Sequence, residues 1–89
     1  MKIIEENKNK ACITTKYVMH DNSPIVSVYY DEDGDWQILG NEDVMEEDAF
    51  VLSLGQIIEH DPTLKNLPDL RFGQTAYRNN IDSQWQIEN

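Results

Sequence analysis

The sequence predicts an α+β domain: an antiparallel β-sheet of four to six strands, made of an N-terminal meander and a C-terminal hairpin, with one main α-helix packed on one face. Three observations predict it. β-Branched, alternating runs separated by turn clusters fill the first half of the chain. One stretch, "SLGQIIEH", has helical spacing and a capping signal at its start. Two more β-like runs close the chain around "NNID".

Residues 1–10 are polar and rich in Lys and Asn, which predicts a loosely ordered N-terminal tail ahead of one domain spanning 11–89. "ACITTKYVMH" alternates, with Ile13, Thr15, Tyr17 and Met19 on one side, and reads as a strand. "DNSP" is a turn cluster, and "IVSVYY" after it is a second strand. "DEDG" supplies a hairpin connection into "DWQIL", where Trp36 and Ile38 share a face. Strands in immediate succession imply the meander.

"GNEDVMEEDA" reads as an acidic loop or a short helical turn, and "FVL" as a brief strand. The helix follows. Ser53 and Gln56 have capping-box spacing, Leu52 before the cap can staple onto Ile57, and Leu54, Ile57 and Ile58 form an apolar stripe. Asp61-Pro62 ends it and can cap one further turn carrying Leu64. "LRFGQTAYR" and "SQWQIE" are the last pair of strands.

Charge excludes some function classes. Of the net −10, residues 17–64 contribute −12 with no Lys or Arg at all, while residues 1–16 are +2 and residues from Lys65 onward are neutral. Such a field repels phosphate backbones and anionic lipid and attracts a basic protein. The partner expected is therefore a basic protein, with no nucleic acid and no membrane; oligomeric state is not set by the sequence. The single cysteine, Cys12, cannot form an internal disulfide, and no run is apolar enough for a signal h-region or a membrane span, so a reducing cytoplasm is the expected location.

"DEDGDWQILGNE" imitates a helix-loop-helix calcium loop, with acids at Asp31, Asp33 and Asp35, apolar Ile38 at the eighth place and Glu42 at the twelfth. Two features argue against it. The flanking "IVSVYY" is β-forming rather than helical, and the sixth place, which needs glycine for its sharp turn, is Trp36. A solvated hairpin is expected instead. His20-Asp21 and His60-Asp61 lack the further ligands of a metal phosphohydrolase, Cys12 reads as a small core residue, Ser53 as a cap, and the four glycines are scattered rather than gathered into a phosphate loop. No catalytic residue, metal site or cofactor is expected.

"DGDWQILGNED", "DAFVLSLGQIIEHDPTLKNLPDL", "GQTAYR" and the late Trp85 resemble a bacterial family of small proteins of unknown function, part of which is assigned to immunity-protein domains beside polymorphic toxins. The resemblance spans about Ile25 to Trp85. It departs at Arg71-Phe72, where the family's pattern has a proline-containing turn, and at Tyr77, where Trp is usual. It implies no catalytic residues, and it implies neutralisation of a toxin by binding.

Charge and resemblance together predict a non-enzymatic protein-binding domain acting through an acidic surface. Its expected residues are Asp31, Asp33, Asp35, Glu42, Asp43, Glu46 and Glu47, with Trp36 or Tyr30 as aromatic anchor if exposed. The alternative is a divalent-ion-responsive binding module or a regulatory protein of another kind.

Overall fold

Strand β1 (Ala11–Thr15) ends where its own last residue becomes a helix cap: Thr15 has extended backbone, and its side chain accepts from the Val18 N–H at 3.2 Å. Threonine suits both roles, as a β-branched strand former and as an N-cap. The computed structural model, which describes residues 1–88, therefore divides "ACITTKYVMH" into β1 and a one-turn helix α1 (Lys16–His20). The expected alternation through Met19 stops at Thr15, and Val18 becomes the helix's buried residue.

The remaining elements are β2 (Ser27–Tyr30), β3 (Trp36–Leu39), β4 (Ala49–Ser53), α2 (Leu54–His60), β5 (Gln74–Tyr77) and β6 (Gln86–Glu88). Single 3₁₀ turns lie at Ile3–Glu5, Glu46–Asp48 and Pro62–Asn66. The fold is α+β, with a six-stranded sheet in the order β4-β1-β3-β2-β5-β6 and the two helices packed on it. β2–β3 and β5–β6 are the expected antiparallel pairs.

The sheet is mixed, which corrects the wholly antiparallel expectation. β1 lies parallel to β3 with Ile13 opposite Gln37, and β4 returns antiparallel along the other side of β1. α1 is the reason. It reverses the chain after β1, so β2 enters beyond β3's position and the β2–β3 hairpin folds back between β2 and β1. A meander needs a tight turn at that point, and the cap at Thr15 prevents one.

One sheet face carries the core. Cys12, Thr14, Val28, Tyr30, Trp36, Ile38, Leu52 and Ala76 are buried there, against Val18, Leu54, Ile57, Ile58 and Leu64 from the helical segments. Full burial of each large aliphatic side chain contributes about 1.5–3 kcal/mol. Buried Thr14 avoids an unpaired hydroxyl by donating to the Ile38 carbonyl at 2.5 Å. Among the described residues nothing forms a second layer on the opposite face: Ile13, Val51 and Tyr77 are exposed, and Tyr29, Gln37 and Leu39 half-buried.

The capping box forms as read. The Gln56 N–H donates to Ser53 Oγ at 3.2 Å, and the Ser53 N–H donates to Gln56 Oε1 at 3.0 Å. Residues 1–10, expected as a loose tail, lie against the domain. Ile3 is buried, the Leu70 N–H donates to the Met1 carbonyl at 3.0 Å, and the Lys10 and Lys8 carbonyls accept from Leu54 and Gly55 at the start of α2. The apolar Ile3 explains the difference, since one core residue can hold an otherwise polar segment in place. Among the described residues no helix is long and apolar enough to cross a membrane.

Candidate protein-binding site

The β2–β3 hairpin is closed by its first acid. Asp31 Oδ1 accepts from the Asp33 and Asp35 N–H groups, both at 2.9 Å, and the Asp31 N–H donates to the Asp35 carbonyl at 2.9 Å. This is the local Asx bonding that makes Asp a turn residue. Gly34 completes the turn at φ +82°, a conformation that disfavours a Cβ. The calcium-like spacing is thus spent on a turn, and Asp31 has one oxygen committed to it. Among the described residues no group of three or more His, Cys, Asp or Glu is arranged to hold a metal ion.

Trp36, expected as an anchor if exposed, is 1% exposed and belongs to the core. Its place on the same strand face as Ile38 puts it there by alternation. Its Nε1–H donates to Glu6 Oε2 at 3.3 Å. Tyr30 is buried too. The two rings stack at 4.4 Å, and Tyr30 in turn stacks at 5.3 Å on Phe72, which is 65% exposed.

An aromatic ladder therefore runs from the core to the surface, Trp36 to Tyr30 to Phe72, and ends beside the acidic hairpin. Two glycines permit it. Phe72 Cε1 lies over Gly34, where an added Cβ would meet it at an ordinary contact distance of 3.5 Å, so what Gly34 supplies is the positive φ of the turn beneath the ring. Gly73 has φ +84° in a turn closed by the Gln74 N–H donating to the Arg71 carbonyl, and its own N–H donates to the Tyr30 carbonyl at 2.7 Å, which holds Phe72 at the turn's tip. The Glu32 side chain lies against Gly73. Phe72 also borders a concavity of about 670 Å³ with Met1, Tyr30, Leu70 and Arg71.

Glu32, Asp33 and Asp35 are exposed on this hairpin and Asp31 is half-buried. Lys10 is the local counter-charge, donating to the Gly34 carbonyl and lying 3.7 Å from Glu6 and 4.0 Å from Asp35. Burial pushes the Glu6 carboxyl up, but the Asn7 N–H, the Trp36 indole and Lys10 outweigh it and hold the group below the ordinary Glu range.

The other expected residues are elsewhere. Glu42 is half-buried, and Asp43, Glu46 and Glu47 are exposed, all on the β3–β4 connection. Strand β3 separates them from the hairpin, and four residues at about 3.3 Å each put the groups more than about 10 Å apart. The run Asp31 to Asp48 is thus two acidic clusters at opposite ends of a strand. Asp48 itself is buried, accepting from the Met45 N–H at 3.0 Å and the Tyr17 hydroxyl at 3.3 Å, with Lys16 Nζ at 3.0 Å.

Sequence reasoning missed Phe72. The one available signal was Gly73 after it, since glycine favours turns and weakens a strand interior.

Cys12 is buried, and burial pushes its thiol up to about 11, which leaves little thiolate for nucleophilic chemistry at neutral pH. His20 packs edge-on to Phe50 at 5.4 Å, and His60 Nε2 lies 3.1 Å from the Val18 carbonyl. A second concavity, about 490 Å³, is bordered by Thr63, Asn66, Arg78, Ile81, Ser83 and Trp85, but the Arg78 guanidinium is already occupied by protein oxygens.

Comparison of the chain with protein-family models, curated proteins and solved structures finds no match.

Proposed function

We propose that this chain is a non-enzymatic protein-binding domain whose partner is a basic protein, and that the contact is the hairpin end of the sheet, with Phe72 as anchor and Glu32, Asp33 and Asp35 as rim. The observation that carries this reading is the exposed Phe72 ring stacked on buried Tyr30 beside the acidic turn. Held from behind, the ring loses little conformational entropy when a partner covers it, and exposed aromatics backed by packed neighbours are the residues on which interface energy concentrates. The net charge of −10 speeds encounter with a basic surface.

Neutralisation of a toxin in the cytoplasm is the specific form proposed, and it rests on the sequence resemblance alone. A basic, nucleic-acid-cutting toxin would be blocked because the acidic rim competes where phosphates bind. The test is association of the chain with a toxin encoded by the neighbouring gene, followed across salt concentrations. Phe72→Ala should weaken affinity by about 30-fold or more while the fold stays intact. Asp33→Lys with Asp35→Lys should slow association, and Glu46→Lys with Glu47→Lys should leave it near wild type. Undiminished binding and full protection by Phe72→Ala would reject the site.

A further inference from the structure

Phe72 keeps one ring face on Tyr30, with centroids 5.3 Å apart and planes at 26°, and is 65% exposed. Two glycines bring carboxylates to its flanks. Phe72 Cε1 lies over Gly34, whose chain neighbours are the exposed Asp33 and Asp35. On the other flank Glu32 Oε1 is 3.7 Å from where a Cβ would stand on Gly73, the residue after Phe72. Lys10 stands 4.0 Å from Asp35, whereas Glu32 and Asp33 have no ion pair among the described residues. Beyond the ring, Arg71 and Asp69 share the rim of the concavity and offset each other, so the net negative charge lies on the hairpin side.

This combination selects the chemistry that can cover the ring. An apolar side chain seated there would take neighbouring carboxylates out of water with no partner, and an anion would be repelled. A cation meets both needs, since the ring face attracts positive charge and the carboxylates accept its hydrogen bonds. Between the two basic side chains geometry decides. A planar guanidinium lies flat on a ring while its N–H groups point outward, towards acceptors at the ring's flanks; a compact ammonium holds its water more tightly and stacks less well.

We infer that the side chain a partner seats on Phe72 is an arginine, stacked on the outer face with its edge N–H groups turned to Glu32 and Asp33. The inference rests on the contact proposed above and names the residue that fills it. The chain builds the same arrangement internally, where Arg78 lies 4.1 Å over the Trp85 ring while pairing with Asp61. The acidic cluster at the other end of β3 has the exposed Val44 and Met45 beside Asp43, Glu46 and Glu47 in place of a ring, and it gives arginine no such advantage over lysine.

NMR titration of the whole chain with blocked peptides of equal length, alternating glycine with arginine, lysine or leucine, tests this. The arginine peptide should shift the Phe72 ring protons and the Glu32 and Asp33 amides, and should bind about threefold to tenfold tighter than the lysine peptide, with the leucine peptide weakest. Phe72→Leu, which keeps apolar bulk at an exposed position and removes the ring, should bring arginine down to the lysine value with an unchanged circular dichroism spectrum. Glu32→Gln with Asp33→Asn should weaken both cationic peptides, and Glu46→Gln with Glu47→Gln should leave the arginine preference intact. Equal arginine and lysine affinities, a preference that survives Phe72→Leu, or tightest binding of the leucine peptide would overturn the inference. Should both cationic peptides shift the hairpin amides equally, the arginine assignment falls and the acidic contact stands. Should neither move them up to about 10 mM, the contact falls with it.

Discussion

Arg78 and Asp61 form a buried ion pair, NH2 to Oδ2 at 3.1 Å, that joins strand β5 to the end of helix α2. The guanidinium also donates from Nε to the Ile25 carbonyl at 2.8 Å and from NH1 to Thr63 Oγ1 at 2.9 Å, with the Trp85 ring 4.1 Å from its Cζ. Asp61 meanwhile caps the following turn through the Thr63 N–H. Burial pulls the Arg78 pKa down and Asp61 pulls it back, and the group stays charged because a guanidinium titrates far above neutrality.

Removing one partner of such a pair strands the other. Arg78→Ala should lower stability by about 3–5 kcal/mol, read as a lower urea midpoint at unchanged slope. Arg78→Lys should recover little, because an ammonium cannot serve Ile25, Thr63 and Asp61 together. A loss under about 1 kcal/mol would show that the site relaxes around the missing charge.

The aromatic ladder should divide stability from binding along its length. Trp36→Ala removes a core side chain and should cost about 3–5 kcal/mol. Phe72→Ala removes an exposed ring and should cost no more than about 1.5 kcal/mol, the scale of one aromatic pair. Thermal or urea unfolding of both variants checks this. Equal losses would mean that Phe72 belongs to the core.

Ser53→Ala deletes the acceptor for the Gln56 N–H while leaving Leu54, Ile57 and Ile58 in place. Stability should fall by about 0.5–2 kcal/mol, with partner binding by the folded fraction unchanged. Ser53→Asp keeps an acceptor and should retain most of the cap. Lost binding at full stability would assign Ser53 a functional role.

Acid should weaken the fold in part through Asp48. The Met45 N–H, then Lys16 and the Tyr17 hydroxyl, hold its carboxyl below the ordinary Asp range, and Lys16 is raised in response. A depressed carboxylate pKa stabilises the folded state above the unfolded value, about 3.9, and that contribution disappears as pH falls through the folded value. Melting temperature plotted against pH should therefore fall less steeply below about pH 4 in Asp48→Asn than in the wild type, from a lower starting point at neutral pH. Parallel profiles would remove Asp48 from the account of acid sensitivity.

Much of the fold was legible because its signals are local. The Ser53 and Gln56 box, the Asp61-Pro62 stop and the "DEDG" turn are bonds between residues a few positions apart, so α2, its end and the β2–β3 hairpin could be placed from the sequence. Alternation put Trp36 with Ile38 for the same reason, although not on which side of the sheet the core would form.

What only the tertiary structure decided is nonlocal. At Thr15 strand and cap propensities are both satisfied, and the choice depends on whether Val18 can be buried. That choice makes β1 parallel to β3 and ends the meander. "GQTAYR" reads as a strand with a basic end, and nothing in it tells that Arg78 meets Asp61 and Ile25 across the fold. Seven acidic positions form a single stretch in sequence but two clusters in space, because a strand spans the distance between its ends. Phe72 becomes a surface aromatic rather than a core one since Tyr30 and Gly34, some forty positions earlier, support its ring from beneath and leave its outer face to solvent. Periodicity assigns a residue to a face, but only the packing of distant segments determines which faces are covered.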